Sequence, residues 1–271
     1  MKILITGSDG FIGKNCINYF KQKGHNVFGI DAGDSIPNLK NFDLAIHLGA
    51  ISSTTFRDVD RILTQNYDYS VSLLEKCHQS KIPFQYASSA SVYGSSQSFD
   101  ECSPSYPQSP YAWSKYLFDR FVLDNLDNFS VPVQGFRYFN VYGEMEDHKG
   151  EQASPYHKFT IQAKKLKTIS LFENSDQYKR DFVCVKDICQ VHDQMDACPV
   201  SGIFNVGTGR AVSFEKIALL IAEKYGADIK YIPMPNDLRN QYQTYTCANI
   251  NKLKKYIELD FIKIEDYIVE Q

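Results

Sequence analysis

The sequence lacks the marks of several broad protein classes. None of its seven cysteines forms a CxxC pair, and the count is odd. Neither a structural zinc site nor a disulfide framework is therefore expected; reduced thiols are. No apolar run approaches the roughly 20 residues that a membrane span needs. No basic surplus is present either: the net charge is −3, which removes the electrostatic footing of general nucleic-acid binding. Internal repeats and low-complexity tracts are missing. The chain enters an apolar segment directly at Lys2–Ile5 with no signal-peptide layout, so a cytoplasmic location is expected. What remains is 271 residues, 43% hydrophobic and 23% charged, enough for one large domain or a large domain with a small lobe.

Residues 2–6 read as a buried strand, followed by Gly7-Ser8-Asp9-Gly10-Phe11-Ile12-Gly13 and an amphipathic helix to about Lys23. Gly24 stops that helix, and His25–Asp31 reads as a second strand ending in an acid. Gly7, Gly10 and Gly13 alone would mark only a tight turn. Strand, glycine turn, helix and acid in register make a dinucleotide-binding layout. Backbone at the glycines can approach a pyrophosphate resting on the helix N-terminus, and Asp31 can accept from the adenosine ribose. About a dozen residues then separate Asp31 from the next strand, Leu44–Gly49. A further strand with its helices does not fit there, so a trimmed sheet edge and an open adenine pocket are expected. His47 reads as a packed histidine. Leu48, Gly49, Ala50 and Ser52 lie where that strand ends in a small-residue loop, a ligand position in such folds. A helix is expected from about Thr64 to Ser80, with Asn66 at its start as an N-cap-type residue or a cofactor contact.

Phe84–Ala87 is the next strand, running into Ser88-Ser89-Ala90-Ser91, then a proline-rich loop and a helix from Tyr111 to about Leu123. Tyr111 and Lys115 fall one turn apart on one helix face. Bringing a phenol from near 10 to neutrality takes roughly 3 pKa units, about 4 kcal/mol, and a nearby ammonium can supply much of it. Tyr19 and Lys23 share the spacing but sit inside the first helix, where packing and a solvated lysine suffice. Only Tyr111 follows a strand-tip hydroxyl, Ser89, that can hold a substrate oxygen. Ser88 and Ser91 read as turn serines. NAD(P)-dependent alcohol/ketone chemistry follows from this set.

Further on, Val133–Phe139 is a strand breaking into Asn140-Val141-Tyr142-Gly143, and Lys149 lies in a polar loop, Glu144 to Ser154. A helix to about Leu166, a strand Ile169–Phe172 and a return to the sheet at Lys179–Val185 come next. The fold class expected is α/β: a Rossmann-type doubly wound parallel sheet, trimmed at one edge, with a small α/β C-terminal substrate lobe. The dinucleotide-binding part would take residues 1–142 and about 182–211, the lobe about 143–181 and 212–271.

With Ser89, Tyr111 and Lys115 in place, the chain resembles the extended short-chain dehydrogenase/reductases that act on nucleotide sugars. Ser52–Thr55, Gly135–Gly143, His148-Lys149-Gly150, Leu171-Phe172-Glu173, Lys179-Arg180-Asp181-Phe182 and Gly202–Arg210 resemble the ADP-glycero-manno-heptose 6-epimerases in particular. The resemblance implies oxidation of a sugar carbinol and reduction of the ketone from its other face. It implies Tyr111 and Lys149 as the two acid/base residues, with Ser89 and Lys115 in support. Phe11, Ile12, Asn66, Lys115 and Val141 would meet the cofactor. Asn140, Phe172, Glu173, Asn174, Ser175, Arg180 and Tyr242 would meet the substrate, as would Glu151 and Lys158, which stand where the family has a serine and a histidine. Those two changes, and the short segment after Asp31, leave the sugar and nucleotide open. A structural salt bridge to Asp181 or a neighbour is the alternative for Arg180, and a solvated loop position for Lys149. NAD is favoured over NADP, because Asp31 repels a 2′-phosphate. The expected partners are a nucleotide-diphosphate sugar and further copies of the chain, with no nucleic acid, membrane or metal. A ring 4-epimerase, another nucleotide-sugar oxidoreductase and a non-catalytic cofactor-binding protein are the alternatives. Ala90-Ser91 after Ser89 argues against a dehydratase, which carries an Asp-Glu pair there.

Overall fold

The computed structural model describes residues 1–235 and 243–271. In chain order β1 (Lys2–Thr6), α1 (Phe11–Gln22), β2 (Asn26–Ile30) and β3 (Leu44–His47) come first, followed by α2 (Val59–Ile62) and α3 (Tyr69–Gln79). Next are β4 (Phe84–Ser89), α4 (Pro110–Asp124), β5 (Val133–Tyr138) and β6 (Asn140–Tyr142). Then α5 (Pro155–Leu166), β7 (Thr168–Phe172), β8 (Lys179–Cys184), α6 (Val185–Asp196) and β9 (Gly202–Val206) follow. The last are β10 (Ala211–Ser213), α7 (Phe214–Tyr225), β11 (Asp228–Ile232), β12 (Tyr245–Thr246) and α8 (Ile264–Glu270).

Six strands in the order β2-β1-β3-β4-β5-β9, each parallel to its neighbours, form the central sheet. Alternate residues of each strand face opposite layers. Ile3 and Ile5 pack with Cys16 and Phe20 of α1 and Cys189 of α6. Leu4 and Ala45 pack with Leu73 and Leu74 of α3 and Phe118 and Val122 of α4. The sheet is thus doubly wound, and β2 is its edge, because the chain passes straight from β2 to β3 beside β1. Phe28 on that edge is exposed, with its ring against Phe42.

Two sequence expectations need correction. The Lys179–Val185 segment does not rejoin the central sheet. As β8 it pairs with β6, β10 and β12 in a separate small sheet. Its faces alternate, with Phe182 and Cys184 in the core of the C-terminal lobe and Val183 against Phe136 and Phe204. The helix expected from Thr64 begins earlier, at Val59, where the Asp58 carboxylate accepts from Arg61 N at 3.0 Å. It continues through a π-turn, Leu63–Asp68, that carries Asn66 in its interior. Asn66 is therefore not an N-cap.

Asp119 is fully buried where α4 crosses β4 and β5. Its carboxylate accepts from Tyr86 Oη (3.0 Å), Ser88 Oγ (2.9 Å) and Arg137 Nε (2.8 Å). Ser88 is thus a buried partner of α4, not a turn serine. Arg137 is 3% exposed and also lies over the Tyr93 ring. Removing the carboxylate would strand a buried guanidinium, a loss of about 3–5 kcal/mol for such pairs. Asp119→Ala is expected to lower unfolding stability by about that amount in urea titration. A change below about 1 kcal/mol would show that Arg137 finds other partners.

Candidate active site

The glycine turn is built by close approach. Gly7 adopts φ +68°, and a Cβ there would lie 2.6 Å from Gly49 N. A Cβ on Gly13 would lie 2.0 Å from Gly7 O. Only bare backbone fits, so β1, the N-terminus of α1 and the end of β3 meet with no side chain between them. The Asp31 carboxylate at the tip of β2 is held against this turn, accepting from Asp9 N (2.8 Å) and Ala32 N (2.7 Å). A side-chain-free cradle at a helix N-terminus with an acid at its rim is the shape that a dinucleotide requires.

Behind the cradle runs a relay of hydrogen bonds. Gly49 N donates to Thr6 Oγ1 (3.2 Å), which lies 2.6 Å from His47 Nδ1. His47 Nε2 lies 2.8 Å from Ser70 Oγ, whose hydroxyl donates to Asn66 O. This direction of donation places a proton on His47 Nε2, and with Nδ1 accepting from Thr6 the ring is neutral. Burial agrees, pushing the imidazole down to about 3. Asn66 then takes Ile51 N on Oδ1 (2.8 Å) and donates from Nδ2 to Ile51 O (3.0 Å) and Ser114 Oγ (3.0 Å). Asn66 is thus a strap between the loop after β3 and α4.

A cavity of about 610 Å³ lies along the ends of β1, β3, β4 and β5. From the expected cofactor set, Gly7, Gly10, Phe11, Ile12, Gly13, Asp31, Leu48, Gly49, Ala50, Ser52 and Val141 line it. Ser89, Tyr111, Asn140 and Lys149 do so as well. Sequence reading missed Ser53, Tyr138, His148, Gln152, Ser154 and Pro155. Ser154-Pro155 could have been found as an N-cap followed by a first-turn proline. Ser154 Oγ accepts from His157 N at 3.2 Å and starts α5.

Other expected contacts lie elsewhere. Glu151 is almost fully exposed and pairs at 4.0 Å with Lys158, and the cavity wall at this point is Gln152 instead. Phe172, Glu173, Asn174 and Ser175 turn at the end of β7 in the lobe, outside the described cavity wall. Arg180 is 9% exposed, donates to the carbonyls of Lys179 and Gln243 and lies over the Phe214 ring. Asp181 is occupied by Thr208 N and Oγ1, Gly209 N and Ala248 N. Tyr242 lies outside the described residues.

At the reaction corner Ser109 caps α4 by accepting from Ala112 N at 3.2 Å, and this places Tyr111 in the first turn. The Ser89 hydroxyl accepts from Ser91 N (3.1 Å) and shares the cavity wall with the Tyr111 phenol. Burial raises the phenol above its usual value, and Ser89 opposes that rise. The expectation that Lys115 would hold the phenol down is not met in this arrangement, because burial dominates. Lys115 stands one turn below, 5% exposed, donating to Ala87 O at 2.8 Å. Burial lowers its ammonium to about 8, while the Asp119 charge works to keep the proton on. Tyr19 and Lys23, with the same spacing, are both engaged by Asp193 of α6 on the outer surface.

Across the cavity Lys149 Nζ sits 5.0 Å from the centre of the Phe11 ring. Burial lowers its pKa, and Lys158 adds to this while Glu146 works against it. Two titratable groups, Tyr111 and Lys149, therefore line one cavity, each shifted by loss of water.

Residues 3–207 match the NAD dependent epimerase/dehydratase family. The chain belongs to that family. It is 37% identical, over 93% of its length and 90% of the relative's, to the ADP-L-glycero-D-manno-heptose-6-epimerase of Alkalilimnicola ehrlichii. The crystal structure of the Helicobacter pylori ADP-L-glycero-D-manno-heptose-6-epimerase superposes with a TM-score of 0.86 at 28% identity, covering 99% of this chain and 94% of that one. A UDP-N-acetylglucosamine 4-epimerase from Methanobrevibacter ruminantium shares the fold, with TM-score 0.88, 23% identity and coverage of 99% and 96%. Among the described residues, no helix of this family member is long and apolar enough to cross a membrane.

In this epimerase-family site, Tyr111→Phe is expected to keep cofactor affinity and lose at least about 100-fold in turnover, the range of general acid–base groups. Tyr19→Phe should not change turnover, and a turnover close to wild type in Tyr111→Phe would remove the phenol from the chemistry. Asp31→Ala is expected to weaken NAD binding and narrow any preference over NADP, measured by titrating both cofactors. Tighter NADP than NAD binding by the unaltered protein would contradict the role given to this carboxylate.

Proposed function

We propose that the protein is a nucleotide-sugar epimerase of the ADP-glycero-manno-heptose 6-epimerase type, working by transient oxidation of a sugar carbinol. The observation that carries this is the pairing of Tyr111 and Lys149 on the wall of one cavity that also contains the glycine cradle. NAD, when bound, accepts and returns the hydride. Tyr111, which shares the cavity wall with Ser89, moves the carbinol proton, and the Lys115 charge below it favours the phenolate once the proton has left. The ketone must then present its other face, and this carries its oxygen across the cavity. Lys149, already lowered by burial, is the group that would protonate it there. Ser89, Asn140 and Gln152 supply polar contacts between these two positions.

The lobe built on β7, β8 and α7 is the candidate holder of the nucleotide diphosphate, with Arg180 and the Phe172–Ser175 turn as its contacts. On this reading residues 1–142 and about 182–211 hold the dinucleotide, and the remainder holds the sugar nucleotide. Trp113 and Leu117 leave an apolar patch on the outer face of α4, which supports a homo-oligomer. Seven free cysteines suit a reducing, cytoplasmic setting.

Incubation with both ADP-heptose epimers and a panel of GDP- and UDP-sugars, followed by NMR, tests the reading. Interconversion of the ADP-heptoses is the expected result; inversion only of a ring C4 centre would overturn it. Lys149→Met is expected to abolish epimerisation while retaining part of the dismutation of an aldehyde analogue, which needs no inversion. Equal loss of both activities would make Lys149 a binding group.

A further inference from the structure

Lys149 lies on a loop held to its surroundings mainly by polar contacts, among them Asn15 Nδ2 donating to Glu144 O at 3.0 Å. The loop leaves β6 at Gly143 and ends at Ser154, and Glu144, Met145, Asp147, His148, Gly150 and Glu151 along it are exposed. Gly150 and Met145 both adopt positive φ, 50° and 70°. One side chain within it is fully buried: Glu146. Its Oε1 accepts from Gly143 N (3.0 Å) and Ser154 Oγ (2.7 Å), and its Oε2 accepts from Ser154 N (2.6 Å). One carboxylate thus joins the first and last residues of the loop. The Glu146 carbonyl also accepts from Lys149 N at 2.9 Å.

We infer that Glu146 is a positioning residue for inversion, acting through Lys149 by closing the loop that carries it. This rests on the reading of Lys149 as the second acid/base. Three donors converge on Glu146, and only an acceptor-only group satisfies all of them. A glutamine would turn its amide N–H groups against an N–H of Gly143 or Ser154. The same contact orients the Ser154 hydroxyl that starts α5, and Ser154 and Pro155 line the cavity. Glu146 therefore fixes the Lys149 side of the cavity without touching it.

The carboxylate also acts through its charge. Glu146 favours the protonated form of Lys149, and Lys158 of α5 opposes it. The other carboxylates of the loop also have partners: Glu144 with Lys186 of α6 at 2.9 Å, Asp147 with His157 of α5 at 3.8 Å, and Glu151 with Lys158 itself at 4.0 Å. The phenols of Tyr156 and Tyr267 also feel the Glu146 charge. Neutralising Glu146 removes the group that holds the Lys149 proton on, so Lys149 would lose it at lower pH.

The test compares Glu146→Gln, Glu146→Asp and Lys149→Met for epimerisation of ADP-glycero-manno-heptose across pH, dismutation of the aldehyde analogue, and thermal unfolding. For Glu146→Gln, kcat for epimerisation is expected to fall by roughly ten- to a hundredfold, the scale of an ångström-sized misplacement. Its remaining pH profile should move to lower pH, with dismutation retained. Glu146→Asp keeps the charge on a shorter arm, so it should keep the wild-type pH profile at a reduced rate, and it decides the matter if the glutamine variant fails to fold. An unshifted profile in Glu146→Gln, or equal loss of both activities together with a lower unfolding midpoint, would overturn the inference. Full epimerase activity in Lys149→Met would instead sink the underlying reading of Lys149, whatever Glu146 does.

Discussion

A carboxylate with no access to water sets the conditions for the reaction corner. Asp119 lies between two cations, Lys115 on its own helix and Arg137 on β5, and takes hydrogen bonds from two residues of β4. In such a medium an unpaired charge is far more costly than a paired one, so the group cannot drift or be shared with solvent. One of its donors, Ser88, is the residue before Ser89, and Lys115 is one turn before it on α4. The positions of the serine hydroxyl, the phenol and the ammonium are thereby tied to one buried ion. The Asp119 charge also opposes the effect of burial on Lys115, helping to keep its proton on.

The cofactor side of the cavity is stiff for a different reason. Gly7, Gly13 and Gly49 meet at distances that admit no side chain, and the Thr6–His47–Ser70–Asn66 relay carries that fixed position to Ile51 and Ser114. The polar groups of this relay satisfy one another, and this accounts for a neutral histidine in the buried interior. The opposite wall is built differently, from an exposed loop closed by Glu146, tied to α1 and α6 through Asn15 and Lys186, and leaning through Lys149 on the Phe11 ring.

β8 joins the two halves of the molecule. Its alternating side chains belong to two cores, and Asp181 within it collects the turn after β9 and the strand end near Ala248. Arg180, the neighbouring residue, lies over Phe214 of α7. A shift of the lobe against the sheet would therefore be felt at the segment that carries the arginine.

Local pattern was enough for much of this. Strand, glycine turn, helix and acid are successive in the chain, and the backbone freedom of Gly7 and the end of a strand at Asp31 are properties of those residues where they stand. The short segment after Asp31 likewise left no room for another strand, and β2 is the sheet edge. Tyr111 and Lys115 were legible because helical spacing is local, whereas the preference for this pair over Tyr19 and Lys23 came from Ser89, a neighbour along the chain. What the pattern could not reach were contacts made by chain segments far apart in number. Asn66 could be seen near a helix but not as a strap to Ile51 and Ser114. Lys179–Val185 had the composition of a sheet strand, and only its partners decided which sheet. Glu151 and Lys158 could be matched by position, yet only the tertiary structure shows Glu151 exposed, Lys158 partly exposed and Gln152 at the cavity wall. The pKa values belong to this second class: burial is a property of the packed molecule, and it raised the phenol that helical spacing alone suggested would fall.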